Sequence, residues 1–137
     1  MIQLSPYLNF KGNGGAAMKF YHKILGGELK VQTFGDAGQA KNDAEKDLLI
    51  HGELKSKDLT FYGTDGNEDH PVTFGNSVNM CLMGDDEAML TKYFNELSEG
   101  GTVEMPLAKQ FWGDTYGMMT DKFGIHWMVN ISAKAEK

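Results

Sequence analysis

The sequence predicts an α+β fold of two consecutive β-α-β-β-β modules, with a helix on the outside of each sheet. Three observations carry this. Short stretches alternate apolar and polar residues, the period of a strand. Two other stretches place apolar residues at helical spacing, and each stops at a double glycine. The same order of elements then occurs twice along the 137 residues. We expect one domain over residues 1–137, with module one at about 1–66, a link at about 64–76 and module two at about 77–137.

The elements of the first module follow in order. Leu8 and Phe10 alternate with Tyr7 and Asn9, a strand. Gly12, Asn13, Gly14 and Gly15 form a turn. Ala17, Phe20, Tyr21 and Ile24 share a helix face, and Gly26-Gly27 ends that helix. Residues 28–34 read as a strand. Residues 35–47 are polar and aperiodic, long for a connection in a compact domain, which points to a mobile or functional loop. Residues 48–54 and 59–62 form a hairpin turned by residues 55–58. The polar stretch 64–76, with Gly66 and Pro71, joins the modules.

The second module repeats the order. Residues 77–83 read as a strand. Asp85, Asp86 and Glu87 stand where a helix begins, and Met89, Leu90, Tyr93, Phe94 and Leu97 form its apolar face before Gly100-Gly101. A strand at 102–105, a loop at 110–114 and a hairpin of 115–120 with 125–132 complete it. Lys19-Phe20-Tyr21 and Lys92-Tyr93-Phe94 precede the two double glycines at nearly the same distance. One such sheet cannot cover both of its faces. Two of them can cup a cavity, a natural place for a ligand.

Composition excludes several functions. No apolar run is long enough to cross a membrane. The first ten residues alternate like a strand rather than like a leader, so a cytoplasmic location is expected. A single cysteine, Cys81, excludes an internal disulfide framework and a multi-cysteine zinc site. The formal charge is −6, and residues 1–66 hold eight acids and eight lysines, so the excess lies in the second half. Such a chain is a poor nucleic-acid binder. All 13 basic residues are lysine, so no bidentate guanidinium is available to clamp a carboxylate or phosphate.

Several stretches, in order along nearly the whole chain, resemble the PhnB-like group of the vicinal oxygen chelate superfamily (glyoxalase, bleomycin-resistance protein and extradiol dioxygenase). They are the run from Ser5 to Asn13, Phe20-Tyr21, Leu25-Gly26-Gly27, Ile50-His51-Gly52-Glu53-Leu54, Phe111-Trp112-Gly113 and the run from Asp121 to Asn130. The resemblance implies paired modules with cupped mixed sheets, in a homodimer. In its metal-dependent members His and Glu ligands come from the first and last strands of the modules. Here those strands offer Ser5, Pro6 and Tyr7, then Phe61 and Tyr62, then Ser77 and Asn79, and finally Trp127 and Met128. The usual ligand set is missing, so no metal or other cofactor is expected. PhnB-like proteins are often described as ubiquinone-pathway methyltransferases. Methyl transfer is not expected here, because no glycine-rich turn between a parallel strand and a helix is read from the sequence, and paired modules provide no dinucleotide crevice.

The candidate ligand-binding residues are Tyr7, Asn9, His51, Glu53, Asn79, Phe111, Trp112 and His126. His51 and Glu53 are two apart on one strand and face the same way, together with Leu49. They can bind a metal or work as an acid–base pair, or they occupy a solvated face or share one hydrogen bond. His126 shares its face with Met128 and Asn130. Tyr7, Asn9 and Asn79 can offer neutral hydrogen bonds, or be satisfied within the fold. Phe111 and Trp112 lie in a loop, where packing does not explain them; they can close a cavity or fill a dimer contact. Cys81 is expected to be a small buried hydrophobe. His22 is expected to be exposed, and His70 to lie in a loop. Asp85, Asp86 and Glu87 fit a helix cap better than a metal cluster. Nine methionines suggest adaptable core packing or a soft pocket wall.

Two functions compete. The first is a metal-free protein that binds a small apolar or aromatic molecule in its cavity, with no nucleic-acid or membrane partner. The second is a divalent-metal lyase, isomerase or dioxygenase with a rearranged site at His51 and Glu53. A dimeric interaction protein is a weaker third.

Overall fold

In the computed structural model, residues 1–66 and 70–133 are described. The chain divides into two compact units, Met1–Thr73 and Phe74–Lys137. Unit one runs β1 (Tyr7–Asn9), α1 (Gly14–Leu25), β2 (Glu28–Thr33), β3 (Leu49–Lys55) and β4 (Thr60–Thr64). Unit two runs β5 (Met80–Gly84), α2 (Glu87–Leu97), β6 (Thr102–Lys109), β7 (Thr115–Thr120) and β8 (His126–Ile131). Each unit holds one four-stranded sheet, ordered β1-β4-β3-β2 and β5-β8-β7-β6. In each, the first and last strands pair in parallel and the other neighbours are antiparallel. The fold is therefore α+β with mixed sheets, and the two units share one topology.

Each helix covers one face of its own sheet by pressing bulky side chains into glycine hollows. Ala17, Met18, Tyr21, Ile24 and Leu25 on α1 are buried, at the spacing that puts them on one stripe. Gly52 and Gly63 are cross-strand partners. A Cβ on either would stand 3.2 or 3.0 Å from Met18, so the paired glycines are what seat that side chain. The Tyr21 ring meets Phe61 edge-on at 5.8 Å and lies 6.3 Å from Phe10. Burying Met18 and Tyr21 stabilises the unit by roughly 1.5–3 kcal/mol each. In unit two Gly117 plays the same part, since a Cβ there would stand 2.9 Å from Phe94 of α2. Leu82, Leu90, Leu97, Met119, Trp127, Val129 and Ile131 complete that core.

The ends of the elements follow from their residues. Asp86 caps α2 by accepting from the Met89 N–H at 3.1 Å, the capping role expected of the acidic run. Gly26, at φ 75°, turns the chain out of α1 and donates to the His22 carbonyl at 2.9 Å. Its neighbour Gly27 runs against β3, where a Cβ would sit 2.5 Å from the Lys55 carbonyl. The first glycine stops the helix; the second lets the next strand pass.

Several expectations change. The strand expected at 102–105 extends to Lys109 through two irregularities in its pairing with β7. These shifts let Pro106 sit in an edge strand, where its missing N–H costs nothing. Leu49 does not share the face of His51. A register shift pairs Gln32 with His51 but Thr33 with Leu49, and the extra residue, Ile50, turns Leu49 back under α1. The segment 35–47 is not structureless. Phe34 and Gly35 donate to the Leu48 and Lys46 carbonyls, and the buried Glu45 carboxylate accepts from the Lys41 N–H. Thr64 belongs to β4, and Asp65, read as part of a polar link, is buried. Part of that expected link, residues 67–69, lies outside the described residues.

Candidate functional site

In unit one the face of the sheet away from α1 gathers four of the expected site residues. Cross-strand partners share a face, so the register sets Tyr7, Tyr62, Glu53 and Lys30 in one row. Asn9 with Thr64, and His51 with Gln32, follow in the next. Strand alternation explains why all of them point outward: Phe10, Gly52, Leu54, Phe61 and Gly63 are buried on the other side. The Tyr7 hydroxyl lies 3.0 Å from His51 Nδ1. The Tyr62 ring stacks on both, at 5.8 Å from Tyr7 and 5.7 Å from His51. Tyr7 is 49% exposed. The three rings form an open aromatic platform with a phenol–imidazole hydrogen bond at its centre. It can stack a flat molecule and pass a proton between ring and hydroxyl.

Glu53 has different company. It is half-buried and stands opposite Lys30, while Glu28 stands opposite Lys55. These four residues line a small recess beside the platform. Alternating charges across two strands suit a solvated surface. Tyr62 is the member of this site that sequence reasoning missed. It was visible as the outward alternate of Phe61, yet only the register shows that it bridges Tyr7 and His51.

In unit two, His126 and Asn79 lie apart from the aromatic turn. His126 Nδ1 lies 2.8 Å from the Thr120 hydroxyl, which itself donates to the Glu104 carboxylate. A hydroxyl has one proton to give. Nδ1 is therefore the donor to Thr120. Asn79 precedes β5 and is half-buried. Phe111 and Trp112 form the turn between β6 and β7, closed by Gln110 donating to the Asp114 carbonyl at 2.8 Å. Phe111 is 96% exposed, and its ring meets Trp112 edge-on at 4.9 Å. Trp112 meets Tyr116 at 5.9 Å. Hydrogen bonds from the Asn130 side chain, the Ala133 N–H and the Trp112 side chain hold the Asp114 carboxyl below the usual range.

Cys81 is not a buried hydrophobe. Leu82 is the residue of β5 that faces the core, and alternation sends Cys81 outward. Partial burial of the thiol still raises its pKa. Burial and the charge of Cys81 raise the Tyr116 phenol in turn. Of the methionines in or near core elements, Met83 is 69% exposed and Met89 42%, Met80, Met118 and Met128 are half-buried, and Met119 is buried. His22 is half-buried, and its Nε2 donates to the Gly27 carbonyl at 3.0 Å. His70 is exposed.

Two cofactor questions meet physical answers. A glycine-rich turn does join a parallel strand to a helix: β1 pairs in parallel with β4 and leads through Gly12 and Asn13 into α1. The sequence reading missed it because the pairing direction depends on β4, some 50 residues on. The turn has no room for an anionic group, however. Its Gly12 and Gly14 N–H groups donate to the buried Asp65 carboxylate at 2.9 and 2.8 Å. For a metal, no group of three His, Cys, Asp or Glu side chains converges among the described residues. His51 and Glu53 therefore stand without a third such side chain among the described residues. No helix among the described residues is long and apolar enough to cross a membrane.

Comparison with known proteins agrees on family and fold. The family model described as 3-demethylubiquinone-9 3-methyltransferase matches residues 2–130. Protein YjdN of Escherichia coli K12 is 26% identical over 95% of both chains. The crystal structure of protein PA1353 from Pseudomonas aeruginosa is 36% identical, with TM-score 0.86 over 98% of this chain and 100% of that one. A PhnB protein from Bacillus cereus shares the fold at 22% identity, with TM-score 0.79 over 96% and 100% of the two chains. A glyoxalase/bleomycin resistance protein/dioxygenase family enzyme from Burkholderia phytofirmans shares it at 12% identity, with TM-score 0.62 over 93% and 97%.

Proposed function

From its membership of the family described as 3-demethylubiquinone-9 3-methyltransferase, a PhnB-like branch of the vicinal oxygen chelate superfamily, we propose that this chain binds a small apolar or aromatic molecule on the open faces of its sheets, without a resident metal. The observation that carries the reading is the platform of Tyr7, His51 and Tyr62. Three rings within 6.0 Å of one another on the outward face of a sheet, Tyr7 and His51 exposed and Tyr62 half-buried, can stack a planar ligand, and the tyrosine–histidine pair orients one polar substituent. The absence of arginine favours a neutral ligand over a strong anion. A homodimer in the cytoplasm belongs to the same proposal, and sedimentation of the purified protein tests the dimer.

Methyl transfer, which the family description names, is left out of the reading because the glycine-rich turn at α1 is filled by Asp65. A divalent-metal site at His51 and Glu53 is the alternative, with no third His, Cys, Asp or Glu beside them among the described residues.

The test uses 2-naphthol as a neutral planar probe, followed by calorimetry and by ¹H–¹³C NMR of the aromatic rings. Saturable binding is expected, with shifts at Tyr7, His51 and Tyr62. Tyr62→Ala should weaken it about three- to tenfold, the range one aromatic pair accounts for. Binding indifferent to Tyr62→Ala, or bound metal near one per chain that is lost in His51→Ala, overturns the reading.

A further inference from the structure

The sheet of unit two carries a row of sulfur that the platform of unit one does not use. The register pairs Cys81 of β5 with Met128 of β8, Met128 with Met118 of β7, and Met118 with Met105 of β6. One sulfur residue stands on each of four adjacent strands, all in one line across the sheet. The residues on either side of the row, Met119, Gly117, Trp127, Val129 and Leu82, are buried toward α2, so the row itself points away from the helix. Met83, two residues after Cys81, adds a fifth sulfur on the same face.

Core packing does not account for the row. Cys81 is exposed, Met105 is 38% exposed, and the two central members, Met118 and Met128, are half-buried on the face away from α2; Met83 beside the row is 69% exposed. Cross-strand neighbours stand about 4.5–5.5 Å apart at their Cα atoms, and methionine reaches about that far on three rotatable bonds. Sulfurs from two or three adjacent strands can thus converge on one point without any backbone movement.

We propose that this row is a binding site for a monovalent soft metal cation, copper(I) or silver(I), held by the thioethers of Met128, Met118 and Met105 with the Cys81 sulfur at one end. Thioethers are uncharged and have no proton to lose, so they bind soft cations and leave hard ones in water. Of the polar side chains on this face, the Asn130 amide donates to Asp114 at 3.0 Å and the Thr120 hydroxyl donates to Glu104, while His126 stands two residues before Met128 with its Nδ1 on Thr120. Cys81 contributes as a thiolate once the metal displaces its proton, which makes its share of the affinity grow with pH. The site lies in a different unit from the aromatic platform and is independent of the function proposed for it.

The test titrates the metal-free full chain with silver(I), which needs no reductant, and reads calorimetry together with the methionine methyl resonances. One silver per chain is expected, with shifts at the Met105, Met118 and Met128 methyls and none at the buried Met18. The double variant Met118→Leu, Met128→Leu keeps the side-chain volume and the fold, checked by its thermal melt, and should lose at least tenfold in affinity. Cys81→Ser should lose less and flatten the dependence on pH. Zinc(II) should not compete. The site is overturned if Cys81→Ser alone abolishes binding, if the double variant binds silver as the parent does, if the shifts fall on other methionines, or if zinc competes.

Discussion

Asp65 shows how much one side chain can hold together. Its carboxylate accepts from the N–H groups of Gly12, Gly14 and Leu49, at 2.9, 2.8 and 2.7 Å. It thereby ties the entry to α1 and the start of β3 to the end of β4, and it satisfies donors that a helix N-terminus would otherwise leave open. Asp65→Ala should destabilise the protein by about 3 kcal/mol, because buried donors lose a charged partner, and Asp65→Asn by less; urea unfolding measures both. Asp121 does similar work in unit two, accepting from the Phe123 and Ile125 N–H groups and from the Trp127 indole at 2.8 Å. The role of Asp65 was not legible in a polar stretch of sequence, since its partners lie 16 to 53 positions away.

Asp114 sets a second expectation at this scale. Folding lowers its pKa through Asn130, Ala133 and Trp112. A carboxyl lowered by folding lends stability above its ordinary range, near pH 3.9, and loses it as the pH falls through the lower folded value. Acidification below about pH 4 should therefore loosen the Phe111-Trp112 turn before the sheet melts. The Trp112 indole N–H resonance should move in that range, and Asp114→Ala should remove the step. An unchanged resonance down to global unfolding would count against it.

At the scale of the element, glycines divide into those that need their smallness and those that do not. In α1 two adjacent glycines should respond with opposite sign. A Cβ on Gly14 would stand 2.8 Å from the Asp65 carboxylate, whereas a Cβ on Gly15 meets nothing within 4 Å. Gly15→Ala should stabilise by about 0.5 kcal/mol through the unfolded chain, and Gly14→Ala should destabilise by 1 kcal/mol or more, roughly the cost of disturbing one buried hydrogen bond. Thermal melts of the two variants decide this. Gly101→Ala should be worse than either, since its Cβ would collide with the Thr120 carbonyl where β6 passes the end of β7. The double glycines announced the ends of both helices. The bulge at Ile50 had no such mark, because it is set by how β2 meets β3, and it alone moved Leu49 to the other face.

For the whole molecule, the charge pattern makes a prediction about the proposed ligand. The −6 charge lies in the second half, and arginine is absent throughout. Binding of a neutral planar probe to the platform of unit one should change less than about twofold between 0.05 and 0.5 M salt, because screening acts on charges and not on ring stacking. A steep loss with salt would mean that the ligand is held by the charged recess of Glu28, Lys30, Glu53 and Lys55 instead.

The sequence alone determined the order of elements, the helix stops, the repeat and the family resemblance, because these depend on local periodicity and on glycine's freedom of backbone. It also placed Tyr7, Asn9, His51 and Glu53 on outward positions, since alternation within a strand needs no partner. Only the tertiary structure decided which outward residues meet. Register joined Tyr62 to Tyr7 and His51, opposed Glu53 to Lys30, and aligned Cys81, Met128, Met118 and Met105 in one row. Those pairings form between segments far apart in the chain, and a shift of one residue would have sent each side chain to the other face.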